Sequence, residues 1–582
     1  MIGAQITNPR PPPRRDHWSR RAPIDTAKRR RGGEAPPVVL LARATNPTSS
    51  TDAHEQQIVL DSTSALAYAR EHLPCVFRGG EDDGGASGVD GPAPAPAGTT
   101  EPLSGGIVNS VFAIRGGSST NVVLKQALPH VRAVGPSFPL SRARMDAEAA
   151  AMGLAERAAA RQAGASSSPT ARPPTLLHYG RAQSVLISER VPDEFTPMYD
   201  ALVAGLLPAG PVAAPLFRLL ARLQQRPTRE EATPDADGRL ASSLKNDDMV
   251  RANLDVVLRQ PFGIMSGDRN EDDAAALAAA IAASPPHLRA DAERLLSEPA
   301  VRRAARALDD HYKRAAENSS RRSQGLAVAF NDLHPGNVFV ATVPAEQGAA
   351  ALFAAAEGGA ASAAAAQQQE QQKPPYLIDW EFAAPGPAEF DVGTLCGNLL
   401  AAALALPRVP LPPTPQQQDR QATAVRAAQR AWLLAETAGA WGALQEALKE
   451  ANDDHQRDDD GDDDDRGDER WAVAWAGAAL IRQILGLHRH PLLHLLASAT
   501  SAEVEATERS CLALGRAMLL AVGEEEEEEP AAAPGAVASF GAAAAVCLEL
   551  ARTLDDLYGE MMCVEDAVLF HGPAAADLKC EE

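Results

Sequence analysis

The spacing of apolar positions divides the chain into a strand-rich first part and a mainly helical second part. From Ile107 to Leu124, Val108, Val111, Phe112 and Ile114 are apolar. Gly116-Gly117 offers a turn, and Val122-Val123-Leu124 leads into Lys125. This reads as two strands around a tight connection. Thr175–His178 and Val185–Ser188 read as two further short strands. Between the pairs, Ser141–Arg161 reads as a helix: Ser141 is a capping residue, and Met145, Ala149, Met152 and Leu154 lie roughly on one face. The expectation is a strand-rich unit carrying one helix.

After Pro192 the pattern turns helical, over most of 389–405, 417–450, 471–487, 501–522 and 538–557. Two compact strand patterns interrupt it. Ala327–Phe330 runs into Asn331-Asp332-Leu333-His334-Pro335-Gly336-Asn337 and then Val338–Val340. Later, Tyr376-Leu377-Ile378 runs into Asp379-Trp380-Glu381-Phe382.

Composition changes how much of the 582 residues is expected to fold. Stretches at 81–99, 349–372, 409–419, 453–469 and 524–535 are built from Gly, Ala, Pro, Gln or acid. Such segments bury too little apolar surface to offset chain entropy, so all five read as surface insertions. The first 34 residues hold nine Lys/Arg against three Asp/Glu, with Pro11–Pro13. They read as a disordered basic tail; a targeting peptide is the alternative, opposed by the prolines. The formal charge of −22 belongs mostly to two tracts, 453–469 at −9 and Glu524–Glu529 at −6, leaving −7 elsewhere. No basic excess is available for nucleic acid or an anionic membrane, and neither partner is expected. Apolar runs fall short of the ~18 residues of a membrane span; Leu395–Leu406 reads as a buried helix. The six cysteines form no CxxC pair, which fits a reducing, cytoplasmic setting.

The two strand-loop patterns carry the chemistry. Asp332 follows one apolar strand, in a loop ending at Asn337. Asp379 follows another, with Glu381 two residues on; in extended chain a period of two would put Asp379 and Glu381 on one side. Carboxylates at two strand ends, with an amide oxygen, suit phosphoryl transfer, in which one carboxylate orients a hydroxyl and the others hold Mg2+ against phosphates. Gly105-Gly106 would let backbone N–H groups approach a phosphate. Lys125 would reach phosphate oxygens, paired with Glu148 or, second, Asp146. His488, His490 and His494 read as a surface turn.

This order resembles the aminoglycoside-phosphotransferase-like kinases and, within them, the methylthioribose kinases. The resemblance rests on Lys125-Gln126-Ala127-Leu128-Pro129-His130-Val131-Arg132-Ala133-Val134-Gly135, on Arg142-Ala143-Arg144 with Glu148, on Asp332-Leu333-His334, on Asp379-Trp380-Glu381-Phe382-Ala383, on Phe390-Asp391-Val392-Gly393 and on Ile481-Arg482. It runs discontinuously from about Leu60 to Leu520. It implies an α+β, bilobal protein-kinase-like fold, with a tail over 1–59, a nucleotide-binding lobe over 60–191, a catalytic lobe over 192–560 and a second tail over 561–582.

The resemblance also implies site roles. Asn109 and Lys125 would contact ATP. Glu189, Arg190 and Val191 would form a hinge meeting the adenine. Asp332 would bind the acceptor and act as base, with Arg482 also on the acceptor. Asp379, Trp380 and Glu381 would hold Mg-ATP, with Asp379, Glu381 and Asn337 as metal ligands, and Asp391 would brace the catalytic loop. The implied reaction is ATP-dependent phosphorylation of 5-methylthioribose in methionine salvage by a homodimer. The sequence departs from the family at Asn331, which stands where Gly is usual, and at Gln483, which replaces the second of two arginines. A kinase of the same fold acting on another small alcohol, or a catalytically inactive binding protein, are the alternatives.

Overall fold

The computed structural model describes residues 58–77, 98–103, 108–116, 121–165, 169–224, 244–265, 272–321, 327–345, 373–409, 411, 419–453, 468–486, 500–522 and 537–558. Gly105-Gly106, the three histidines from His488 to His494, the basic tail to residue 57, the C-terminal tail and the bulk of all five expected insertions lie outside the described residues.

The first part is a five-stranded antiparallel sheet in the order β1 (Thr99–Pro102), β2 (Ser110–Arg115), β3 (Asn121–Gln126), β5 (Val185–Glu189), β4 (Leu176–Gly180). The period of two sorts its faces. Phe112, Ile114, Val122, Leu124, Val185 and Ile187 turn to one side and pack on Ala65 and Ala69 of helix α1 (Ser62–His72). On the other side Leu186 joins the large core with Met145, Ala149 and Met152 of helix α3 (Arg144–Ala165). Lys125 follows Leu124, so it is delivered to the α3 side.

The expectation of a single helix here is corrected. Helix α1 and the short α2 (Pro74–Phe77) precede the sheet. The signal was local: Asp61 and Ser64 form a capping box, each side chain accepting the other's backbone N–H at 2.8 Å. Strand β1 was also not foreseen; it begins at Thr99, the last residue of the first expected insertion, and pairs with β2.

Beyond the sheet, β6 (Phe195–Pro197) and β7 (Leu206–Pro208) flank helix α4 (Met198–Val203) and pair with β9 (Val338–Pro344). Three-residue, Pro-ended strands carry no periodicity, so only their partner reveals them. Strand β8 (Val328–Ala329) pairs antiparallel with β11 (Ala384–Pro385), and β9 pairs antiparallel with β10 (Tyr376–Leu377). The loop from β8 to β9 and the loop from β10 to β11 are therefore framed by one another's strands. The two loops touch where Asn331 Nδ2 donates to Phe382 O at 3.1 Å.

In the helical part, the five helices bounded from the sequence are all present, and they are preceded by helices for which the sequence reading gave no bounds. After α5 (Ala213–Gln224) come α6 (Asp247–Leu254), α7 (Asp272–Ala283), α8 (Arg289–Ser297) and α9 (Pro299–Arg321). Then come α10 (Ala388–Ala405), α11 (Asp419–Asp453), α12 (Glu469–Leu485), α13 (Ser501–Leu519) and α14 (Phe540–Tyr558). Residues Ala388–Arg408 are long and apolar enough to cross a membrane, but 94% of their most apolar stretch is buried inside the protein. As the sequence suggested, this is a core helix. Asp468 and Glu469 prove not to belong to a solvated acidic insertion. Asp468 caps α12 by accepting the Arg470 N–H at 2.9 Å, and Glu469 accepts the Phe540 N–H at 2.8 Å, tying α12 to α14.

Close helix contacts depend on glycine. A Cβ on Gly393 of α10 would lie 2.5 Å from Ala472 O of α12, and one on Gly477 of α12 would lie 2.5 Å from Gly515 O of α13. Gly439 of α11 has, among the described residues, no neighbour within 4 Å of the same position. Gly477→Ala is therefore expected to destabilise the protein by about 1–3 kcal/mol through forced separation of α12 and α13. Gly439→Ala should instead stabilise it by up to about 1 kcal/mol through helix propensity. Urea denaturation of the two variants checks the opposite signs.

Candidate active site

Lys125, in the penultimate position of β3 rather than at its end, points at α3. Its Nζ donates to Glu148 Oε1 at 3.0 Å, with Oε2 at 2.9 Å, and makes a second ion pair with Asp379. Of the two candidate partners on α3, Glu148 is the one. Asp146 instead pairs with Arg181 at 2.7 Å and accepts from Tyr179 Oη at 2.6 Å. Burial by itself works against the Lys125 ammonium, but Asp379, Glu148 and Glu381 outweigh it and hold it above its usual range. Burial pushes the Glu148 carboxyl up, with Lys125 opposing.

Beside this pair lies a group of buried polar residues. Glu381 Oε2 accepts from Asn109 Nδ2 at 2.6 Å and sits 3.6 Å from Arg144 Nε. Arg144 is 1% exposed; its Nη2 donates to Asn109 Oδ1 at 2.8 Å and to Leu128 O at 2.9 Å. Burial pushes Glu381 up to about 8, against the pull of Lys125 and with further push from Asp379 and Glu148. The sequence reading gave Arg144 no role. The available signal was an arginine one helical turn before Glu148, an i,i+4 pair on one face. Asn109, foreseen as an ATP contact, has its amide committed to Glu381 and Arg144.

The Asp379–Glu381 geometry differs from the expectation. Asp379 has φ 68° and ψ 61°, and Trp380–Phe382 form one 3-10 turn. A left-handed residue followed by a tight turn abolishes the period of two, so the two carboxylates diverge. Glu381 turns into the buried group, while Asp379 keeps 36% of its side chain exposed beside Lys125. Trp380 is fully buried, edge-on to Phe330 with ring centroids 4.8 Å apart, and its Nε1 donates to Leu377 O at 2.9 Å. Its side chain supports the loop from inside.

Asp332 lies in the facing loop. Asn337 Nδ2 donates to Asp332 Oδ2 at 3.0 Å and to its carbonyl at 3.1 Å, closing the loop. His334 Nε2 lies 3.6 Å from the same carboxylate oxygen. The Gly336 N–H donates to His334 Nδ1 at 3.0 Å, which puts the imidazole proton on Nε2, toward Asp332. Asp391 of α10 accepts the Phe330 and Asn331 N–H groups, each at 2.7 Å. It braces the loop from behind, as the resemblance implied. Asn331 has φ 66°, a conformation favoured by Gly and tolerated by Asn. That accounts physically for asparagine at this position.

Arg482 of α12 reaches the same place from the helical side. Burial lowers its guanidinium from the usual value, opposed by the nearby Asp332 and Tyr199. Its Nε is buried without a hydrogen-bond partner among the described residues, as are both amide atoms of Gln483. Tyr199, which sequence reasoning missed, donates to Asn398 Oδ1 at 2.6 Å and lies over His334 with centroids 6.4 Å apart.

Glu189, Arg190 and Val191 lie where the sheet's last strand in sequence runs on toward β6. The Glu189 N–H donates to Thr175 O at 2.8 Å and the Arg190 N–H to Asn121 O at 3.0 Å. Those donors serve the sheet. Glu189 Oε1 accepts from Tyr376 Oη at 3.2 Å, and Arg172 stacks on the Tyr376 ring at 4.4 Å. The crossover is thereby fastened to β10 and the Asp379 loop.

The oxygen donors suit Mg2+. Asp379 offers an accessible carboxylate, and Asn337 uses its amide nitrogen on Asp332, so its oxygen is the atom that could ligate; Glu381, expected as a third ligand, is buried and turned instead to Asn109 and Arg144. Among the described residues no three His, Cys, Asp or Glu side chains converge as a metal cage. Mg2+ typically uses one or two carboxylates and completes its shell with phosphates and water.

No protein-family model matches the chain. It is 26% identical over 312 residues to a methylthioribose kinase of Pectobacterium atrosepticum, covering 53% of this chain and 61% of that protein. It is equally 26% identical over 312 residues to the methylthioribose kinase of Yersinia enterocolitica. The chain thus spans 61% of the length of these curated relatives. Among solved structures, a glucosamine kinase complex with glucosamine, ADP and phosphate aligns at 16% identity, over 69% of this chain and 78% of that one, with a TM-score of 0.32. A macrolide 2'-phosphotransferase from Brachybacterium faecium aligns at 14% identity over 74% and 94%, with a TM-score of 0.24. Superpositions this loose carry no argument.

Removing Arg144 takes away one of the two cations acting on Glu381, Lys125 being the other, and strips Asn109 Oδ1 and Leu128 O of a buried donor. Arg144→Met is expected to cost about 1–3 kcal/mol of stability, the range for buried polar groups left unsatisfied. Chemical denaturation measures it; a loss below 1 kcal/mol would show that Asn109 and Lys125 alone suffice for Glu381.

Proposed function

We propose that the chain is an ATP-dependent small-molecule kinase of bilobal, protein-kinase-like architecture, with lobes meeting near Val191. The observation that carries the reading is the double pairing of Lys125 with Glu148 on α3 and with Asp379 on the opposite loop. In protein kinases a strand lysine paired with a helix glutamate handles nucleotide phosphates, and a loop aspartate holds the metal. The methylthioribose kinase relatives support a sugar-type acceptor, and 5-methylthioribose, phosphorylated at its 1-hydroxyl, is the substrate we propose. A homodimer and a role in methionine salvage accompany that reading.

In this scheme Asp332 accepts a hydrogen bond from the acceptor hydroxyl. A bond forms between the acceptor oxygen and the γ-phosphorus, the bridging β–γ oxygen bond breaks, ADP leaves, and the hydroxyl proton passes to Asp332. Asn337 and His334 both address Oδ2 of Asp332, so Oδ1 is the atom left for the acceptor. Arg482 offers the acceptor's oxygens its Nε, which has no hydrogen-bond partner among the described residues. Mg2+, held by Asp379 with Asn337, would neutralise phosphate charge. Lys125 exchanges its contact with Asp379 for phosphate oxygens while Glu148 keeps its position. Catalysis of this kind rests on positioning and electrostatics.

A second reading keeps the chemistry and changes the acceptor. Gln483 is buried, and both its amide atoms are without a hydrogen-bond partner among the described residues; a neutral donor–acceptor there suits another polyol.

Two measurements test the proposal. Asp332→Asn is expected to lower turnover about 10²–10⁴-fold, the usual contribution of a general base, with nucleotide binding retained. Turnover near that of the parent protein would remove Asp332 from the mechanism. A coupled ADP-release assay across 5-methylthioribose, other sugars and choline should favour 5-methylthioribose; preference for another alcohol selects the second reading, and no Mg-dependent turnover on any would overturn both.

A further inference from the structure

Both loops of the candidate site are gripped by one short helix that neither the sequence motifs nor the scheme above uses. Asn246, the N-cap residue of α6, donates through Nδ2 to Glu381 O at 2.8 Å and to Ala383 O at 3.1 Å. Asn253, near the other end of α6, donates through Nδ2 to Asn331 O at 2.8 Å. The two asparagines are seven positions apart, two helical turns or about 10 Å along the axis. Residues so spaced share a face, and Met249 between them is 2% exposed on it. The carbonyls they hold belong to the residue before Asp332 and to the turn after Asp379.

The grip is anchored at its far end. Directly after α6 the backbone makes a π-turn over Asp255–Arg259, a local distortion common near functional sites. Arg259 in that turn binds Asp309 of α9 at 2.8 Å and Asp255 at 2.8 Å. From α9, Tyr312 Oη donates to Asn331 Oδ1 at 2.8 Å, and Asn331 Nδ2 donates to Phe382 O at 3.1 Å. Asn331 is thus held from α6, from α9 and from the Asp379 loop, in a left-handed conformation that is costly without such restraint.

We propose that Asn246 and Asn253 are positioning residues that set the spacing between the Asp332 loop and the Asp379–Glu381 loop, with α6 as the spacer. This rests on the phosphotransfer reading for its kinetic consequence, but not for its structural one. Phosphoryl transfer requires the acceptor oxygen and the nucleotide to meet in line, and a displacement of about 1 Å can cost about 100-fold in rate. The donors must be amides: a carboxylate of the same shape facing a carbonyl supplies no N–H.

The test uses Asn253→Asp and Asn246→Asp, with Asn253→Ala and Asn246→Ala to delete the donor without adding charge. Hydrogen–deuterium exchange is read at the amides of 332–337 and of 380–383. Each Asn253 variant is expected to speed exchange in the first set by about tenfold or more, each Asn246 variant in the second, with distant helices unchanged. In the same proteins Asn253→Ala should lower kcat about 10–100-fold, with the nucleotide KM within about threefold. Unchanged exchange at both loops, or uniform acceleration over the whole chain, overturns the proposal. So does an Asn253→Asp protein with parental kcat. Absence of transfer by the parent protein defeats the phosphotransfer reading alone, because the exchange pattern still decides the clamp.

Discussion

The constraint on which the rest depends is the burial of Lys125 together with the carboxylates that neutralise it. An ammonium cannot sit between a sheet and a helix core unless acids come to it. Glu148 comes from α3, Asp379 from the loop after β10, and Glu381 from the next turn with Arg144 and Asn109 around it. One group of charges thus joins the amino-terminal sheet, its helix and the helical part of the molecule. A ligand that bound Lys125 and Asp379 would act on that joint directly.

The second loop is fixed by different means. Asp332 is not buried in a charge cluster; its loop is held through backbone atoms. Asp391 takes two N–H groups, Asn253 gives to a carbonyl, and Asn337 folds back onto Asp332 itself. Backbone restraint leaves the carboxylate partly exposed, where charge pairing would have enclosed it. The strand pairs β8–β11 and β9–β10 then bring the two loops face to face.

The glycines of the helical core serve the same end at a distance. Arg482 on α12 lies near enough to Asp332 to feel its charge, and α12 stands where it does because Gly393, Gly397, Gly477 and Gly515 let it approach α10 and α13 closely. Asp391 sits on α10, one of those neighbours. The brace of the Asp332 loop and Arg482 are therefore positioned by one packing arrangement.

The sequence by itself determined most of the elements and named the residues that the fold gathers at the candidate site. The helices of the second part, the strand-loop-strand patterns and the identities of Lys125, Asp332, Asp379 and Arg482 were legible because periodicity, caps and short motifs are local properties. It did not determine geometry that depends on partners. The period-two reading of Asp379 and Glu381 failed because Asp379 adopts a left-handed conformation. Strands β6 and β7 exist only through pairing with β9. Arg144, Asn246, Asn253 and Tyr199 were invisible as site residues because each acts on a residue far away in the chain. A charge or an amide acquires its role from what burial places beside it, and only the tertiary structure decides that.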